Sequence, residues 1–504
     1  MNHENFLKLH EKGKKLLESN KTKEALALYE KLVKKFPNES RAWNNKAVAL
    51  LRLEKYKEAL TAVEKAIKVD PKESAPSFYN KGIALDKLGQ KKEALLAIDK
   101  SIKLSPKRAN SWHYKGKILG ELRKYDEALY AFDKSTKLNP KNMISWGIKG
   151  TLLSAMKKYE EALRCFNKVI HLTPKLGIGW TSKGTTLISI GKNKEALRVL
   201  NHAIKLNSRS ESAWDHKGLA LMNIGKNTEA HHAFTKSIEL NPKNPRVWFY
   251  LGLLFHSENK HKEEHNAFTK SIELNPKNAG AWFYLGLSFA DAKKQKEAHH
   301  AFTKSIELNP KNAGAWYNKG TSLLYLHKYK EALSAINQSI KLDPTFPEAW
   351  SNKGYSLFRL GRKKEALHYL DYAIKMDTKI ESLYTTKAGV LLEIKNYEGA
   401  IRAFRKALEL NPKDDSTLNG MGIALIRTGR SEESLSYFEK ALKLNPKNAS
   451  VWYDKACALS ITNQLDSSLN SLAVAISLDS KYRTMMKKDK DFVNVKKLER
   501  FQKL

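Results

Sequence analysis

The chain has 504 residues, with 90 Lys plus Arg against 53 Asp plus Glu, a formal net charge of +37. That length exceeds what one hydrophobic core organises, which points to several domains or an internal repeat. The two cysteines, Cys165 and Cys457, are too few and too far apart for a disulfide framework. The positive excess favours acidic partners, but 74 of the basic residues are Lys and only 16 are Arg, the better bidentate reader of phosphates and base edges.

The chain opens with MNHENFLKLHEKGKKLLESN, which holds no apolar signal-peptide core, and no later stretch approaches the ~18 apolar residues a membrane span requires. These features predict a cytoplasmic protein. After a lead-in at residues 1–5, a period takes over. Trp112, Trp146, Trp180, Trp214, Trp248, Trp282, Trp316 and Trp350 follow one another at a spacing of 34, with Trp43 and Trp452 outside that run. With Trp as position 4, fourteen repeats begin at residues 6, 40, 75, 109, 143, 177, 211, 245, 279, 313, 347, 381, 415 and 449 and cover 6–482. All 10 tryptophans fall at position 4 and 11 of the 14 prolines at position 32. Position 8 is Gly or Ala throughout, and position 20 is small except at Glu264. The one interval of 35 has its extra residue between Pro71 and Pro76, in a connecting loop.

Each repeat therefore reads as a helix A, a polar or Gly-containing turn, and a helix B that an Asn-Pro-Lys-Asn-type turn closes, since proline cannot continue a helix. Small residues at positions 8 and 20 let the two helices approach, and stacking on neighbours buries the faces one hairpin leaves open. This W-x2-L-G-x2-Y, A-x3-F, P pattern resembles the tetratricopeptide repeat family, in the form of a prokaryotic or archaeal multi-repeat array. The resemblance implies an all-α fold, a right-handed superhelical solenoid of 14 hairpins with a C-terminal capping helix. Residues 483–504 supply that cap, with Phe492, Val495, Leu498 and Phe501 at helical spacing.

The resemblance also implies a concave wall built by helix A, at repeat positions 2, 5, 6, 9, 12 and 13. Those positions in repeats 8 to 11 hold Phe249, Tyr250, Phe283, Tyr284, Tyr317, Asn318, Tyr325, Asn352, Tyr355 and Phe358. As a set they form a candidate groove for a peptide, because Tyr and Phe are favoured interface anchors. Packing between repeats accounts for the same aromatics equally well, and AFTKSIELNPKN, present in repeats 7 to 9, marks recent duplication. Position 7 is Lys in 11 repeats: Lys12, Lys46, Lys81, Lys115, Lys149, Lys183, Lys217, Lys319, Lys353, Lys387 and Lys455. Such a ladder attracts anions, or simply lays its stems on apolar surface with the ammonium in water. Repeats 8 and 9 carry Leu251 and Leu285 instead.

Two patterns of relatives are not reproduced. The carboxylate clamp of chaperone adaptors meets His10, Lys14, Asn45, Pro76 and Asn80, and the asparagine ladder of O-GlcNAc transferase arrays is matched only by Asn45, Asn80, Asn318 and Asn352. His261, Glu264 and His265 spell H-x-x-E-H, a zinc-hydrolase motif. Neighbouring repeats hold KNTEAHH and KQKEAHH in the same register, so repeat drift explains the match. No catalytic, cofactor-binding or metal residues are predicted. The reading is a non-catalytic scaffold that binds a peptide or partner protein, preferably acidic, in the groove. RNA or DNA on the lysine-rich surface is the alternative, and self-association through exposed ends a further route to assembly.

Overall fold

The computed structural model describes residues 3–72 and 74–504. Among them 28 helices pair as 14 antiparallel hairpins, and short helices follow at the C-terminus. From the second repeat on, helix A spans 13 residues, as in Ala109–Glu121, and helix B spans 14, as in Tyr125–Leu138; the first helix, His3–Glu18, has 16. From Ala75 to Ala449 a new helix A begins every 34 residues. The chain forms two compact units, residues 1–250 and 251–504, each of them a stack of such hairpins.

The closeness of the two helices depends on position 8. A Cβ added at Gly116 would lie 2.9 Å from the Phe132 ring, one at Gly218 2.5 Å from Phe234, and one at Gly286 2.6 Å from Phe302. Each of these rings occupies position 24 of the same repeat and is fully buried. The missing side chain on helix A is the seat of the large one on helix B. Position 20 completes the seam, with Ala128, Ala230 and Ala298 wholly buried.

The turns are chemically specified. In Asn139-Pro-Lys-Asn142 the first side chain accepts from the Lys141 backbone N–H at 3.2 Å, and Asn142 caps the next helix by accepting from Ile144 and Ser145. Tryptophan does more than fill space. The indole N–H of Trp112 donates to the Pro106 carbonyl at 2.8 Å, and Trp316 does the same to Pro310 at 3.0 Å. Where Ser208 replaces proline, Trp214 still reaches its carbonyl at 2.9 Å, so the tie survives the substitution. Position 15, between helix A and helix B, takes a positive φ in every repeat, from Asn20 to Asn463, and only five of these residues are Gly.

Beyond the last hairpin the sequence predicts one helix, and the chain instead forms Lys481–Lys488, a short 3-10 turn at Lys490–Phe492, and Glu499–Lys503. Asp489 is the breaking point. Its extended backbone ends the first helix, and its carboxylate accepts from the Asp491 N–H at 3.0 Å and the Tyr453 hydroxyl at 2.8 Å. The apolar residues are used as the pattern implied: Phe492, Val495 and Phe501 bury against Tyr453, Leu469 and Leu472.

Candidate functional site

In residues 251–504 the helix A face is open over repeats 10 to 12, whose first helices are Ala313–Tyr325, Pro347–Arg359 and Glu381–Glu393. A cleft of about 530 Å³ is lined there by Thr321, Tyr325, Asn352, Tyr355, Thr385 and Glu393, with further residues of the same helices and His327 from the turn after the first of them. These fall at repeat positions 5, 6, 9 and 13, so the helical register delivers one side chain to the same face from each successive hairpin. Tyr325 stands 67 % exposed at the rim. Asn352 is fixed by donating to the Thr321 hydroxyl at 3.1 Å. The Tyr355 hydroxyl accepts from Arg359 at 3.1 Å, and that guanidinium lies 4.7 Å over the Tyr329 ring. The cleft thus combines a free aromatic with oriented polar groups, a small-ligand or peptide geometry by size and lining.

The other sequence-predicted residues lie elsewhere. Tyr250 stacks on Phe234 with centroids 5.8 Å apart, and Tyr284 on Phe268 at 5.4 Å. Phe249 lies 5.9 Å from Tyr250, and Phe283 the same distance from Phe302. Tyr317 packs edge-on against Phe346 at 4.6 Å, where burial raises its hydroxyl pKa, and Phe358 is buried in a cluster with Leu357 and Leu370. Asn318 donates to the Gly314 carbonyl of its own helix at 2.9 Å. Phe249 and Tyr250 belong to the first compact unit and the remainder to the second. Of the ten residues, Tyr325, Asn352 and Tyr355 line the cleft. Sequence reasoning missed Thr385, Thr386 and Glu393, which share its register but carry no aromatic ring.

The lysine ladder is largely engaged. Lys115 sits 2.7 Å from Asp99 and 5.8 Å over the Trp112 ring, and Lys81 pairs with Glu64 at 2.8 Å. Lys46, Lys149, Lys387 and Lys455 each meet the acid at position 25 of the preceding repeat. Lys217, Lys319 and Lys353, whose position-25 neighbours are not acidic, lie over Trp214, Trp316 and Trp350 at 4.9 to 5.5 Å.

A larger cavity of about 680 Å³ lies on the helix A face of repeats 1 to 3, bordered by His10, Lys14, Arg41, Asn44 and Asn45. Its amides serve one another: Asn80 donates to Asn44 at 2.8 Å and Asn45 to the Tyr29 hydroxyl at 3.1 Å. Glu264, at the centre of the H-x-x-E-H string, is fully buried, with His256 Nδ1 at 3.0 Å and His261 Nδ1 at 3.6 Å from its two oxygens. Among the described residues, one trio of metal-type ligands converges, Cys457, Asp489 and Asp491. Burial and the Asp489 carboxylate hold the Cys457 thiol protonated, and Arg427 already neutralises Asp491 at 3.0 Å.

Sequence models of the tetratricopeptide repeat match residues 10–77, 47–109, 216–264, 317–379, 381–414, 416–448 and 437–470, together more than half of the chain. The chain is a tetratricopeptide-repeat protein. A model described as anaphase-promoting complex, cyclosome, subunit 3 matches residues 87–169 and 254–339 of this tetratricopeptide array. Among solved structures, the APC/C hetero-tetramer Cut9-Hcn1 is similar at 17% identity and a TM-score of 0.43, over 94% of this chain and 95% of that one. Yeast Tom70 is similar at 16% identity and a TM-score of 0.37, over 90% and 94%. No curated protein matches the chain. Tetratricopeptide arrays are typically non-catalytic and bind protein partners. Among the described residues no helix is long and apolar enough to cross a membrane.

Proposed function

We propose that this tetratricopeptide protein is a scaffold that holds a peptide or extended segment of a partner protein in the cleft of repeats 10 to 12. The observation that carries the reading is Tyr325, a large aromatic left 67 % exposed at the rim of a cleft of about 530 Å³. Burial of an exposed tyrosine on association removes its apolar ring from water while its hydroxyl keeps a partner. Asn352, Thr385 and Thr386 offer hydrogen bonds to a peptide backbone from fixed positions.

The acidic preference expected from net charge does not arise in this cleft, whose lining includes Glu393 and His327 but no Lys or Arg. Contact there is apolar and hydrogen-bonded, so it resists salt. The test is co-purification of partners with wild type and with the Tyr325→Ala/Tyr355→Ala double variant, washed at about 50 and 200 mM salt. Retention of a protein by wild type at both salts, and its loss from the double variant, is the expected result. A captured species that leaves steeply between those salts and ignores both tyrosines contradicts the reading and indicates phosphate contacts by the lysines.

A further inference from the structure

The first compact unit contains an apolar cleft that the peptide cleft of repeats 10 to 12 does not involve. It lies between helix A of repeat 5, Met143–Ala155, and helix A of repeat 6, Gly177–Ser189, and has a volume of about 220 Å³. Its floor is Phe166 and Val169 from helix B of repeat 5, and its rim is Ile144 and Ile178. These two rim residues are 56 % and 64 % exposed, and Leu176 beside them 48 %, an unusual density of bare aliphatic surface.

The cleft exists because one side chain is missing. Position 5 projects from helix A toward the next repeat: His113, at position 5 of repeat 4, reaches Ser145 of repeat 5 at 2.8 Å. Repeat 5 alone has glycine at this position, Gly147, and it faces a second glycine, Gly179, at position 3 of repeat 6. A Cβ built on Gly147 meets only Val169 Cγ2, at 4.0 Å, so nothing in the packing forbids a side chain there. Glycine in a helix interior is otherwise a cost with no packing return. Gly179, by contrast, would press on Val169 and Ile170 at 3.0 and 3.1 Å and is required by packing.

The two helices A that wall the cleft carry charge of one sign, and the acids of the floor helix, Glu160 and Glu161, lie in its first turn, more than one helical turn before Phe166 and Val169. Residues 139–159 and 171–194, which contain both helices A and their leading turns, include no Asp or Glu, whereas Lys141 and Lys175 stand exposed in the turns that precede the two rims. We infer that this cleft is a second docking site, which takes one bulky apolar side chain of a partner peptide whose flanking residues are acidic. The apolar anchor replaces the side chain that position 147 lacks, and the carboxylates lie toward Lys141 and Lys175.

The probe is a short fluorescein-labelled peptide with one Phe between glutamates, compared by anisotropy with versions in which Phe is Ala or each Glu is Lys. Wild type binds the first on the order of tenfold more tightly than the Ala version, and more tightly than the lysine version. Gly147→Phe, which fills the cleft with the residue that repeats 8 and 9 carry at this position, abolishes the preference for Phe at unchanged or raised melting temperature. Lys141→Glu/Lys175→Glu reverses the preference for charge. Equal binding of the Phe and Ala peptides by wild type, or an undiminished preference in Gly147→Phe, overturns the inference. So does a wild-type dimer in sedimentation that Gly147→Phe abolishes, since the occupant is then a second copy. Tyr325→Ala leaves this binding unchanged, which separates the outcome from that of the cleft in repeats 10 to 12.

Discussion

Repeats 5 and 9 have the same two helices and opposite contents at one position. In repeat 9, position 5 is Phe283, whose ring packs against Phe302 and Tyr284. In repeat 5 it is Gly147, and the same register is empty above Phe166 and Val169. Repeats 10 to 12 are intermediate, with Tyr325 projecting into solvent over a cleft of mixed apolar and polar lining. The lesson is that an aromatic run in the sequence marks where a tetratricopeptide groove has been filled by its own side chains. Openings occur where the side chain is small or its neighbours cannot cover it.

Two glycines of helix A meet opposite surroundings. Gly286 and Gly147 both lie in helix A, but an added Cβ is 2.6 Å from the Phe302 ring at the first and 4.0 Å from its nearest neighbour at the second. Gly286→Ala should lower stability in urea by about 1–3 kcal/mol, whereas Gly147→Ala should raise it by about 0.5–1 kcal/mol through helix propensity. Equal effects would mean that the close approach at position 8 does not hold the hairpin together.

A second contrast concerns polar groups on the helix A face. Asp454, at position 6 of repeat 14, is held by Asn419 at 2.9 Å, yet burial pushes its carboxyl up to about 6. An unfolded Asp titrates near 3.9, so between roughly pH 4 and 6 the folded state binds the extra proton. Stability of residues 251–504 therefore falls as pH rises through that window, by about 2 kcal/mol. Asp454→Asn should remove this slope and stabilise the protein at pH 7 by about 1 kcal/mol, measured by denaturant unfolding at both pH values.

The smallest expected effect concerns the turns. Lys157 holds a φ of 59° at position 15, where Gly191 of the next repeat holds 77°. Lys157→Gly relieves the left-handed strain of a side chain at the cost of chain entropy, for a net gain of roughly 0.5 kcal/mol in thermal unfolding.

Much of this fold is legible in the sequence because the 34-residue period repeats every packing decision. The Gly at position 8 and the large residue at position 24 are the two halves of one contact, as Gly116 and Phe132 show. Helix B ends two residues before position 32, whether that is proline, as after Leu138, or serine, as after Leu206, and the cap on the following helix is often spelled by Asn, as at Asn142 and Asn312. The segment after residue 482 was less legible, because its break rests on side chains from other repeats, Tyr453 and Arg427, that receive Asp489 and Asp491. The candidate site was legible only in register. Positions 5, 6, 9 and 13 identify the face, but whether a ring there stacks on helix B, as Tyr284 does, or stays in solvent, as Tyr325 does, depends on neighbours the period does not encode.

The pair Tyr284 and Tyr325 therefore gives the most direct test, with unfolding and partner co-purification measured on the same two alanine variants. Tyr284→Ala should lose about 2 kcal/mol of stability, since it removes a ring stacked on Phe268 at 5.4 Å, and keep its partner below the melting range. Tyr325→Ala should unfold within about 0.5 kcal/mol of wild type and lose the partner. The reverse outcome, a partner held by Tyr325→Ala and released by a folded Tyr284→Ala, would contradict the account.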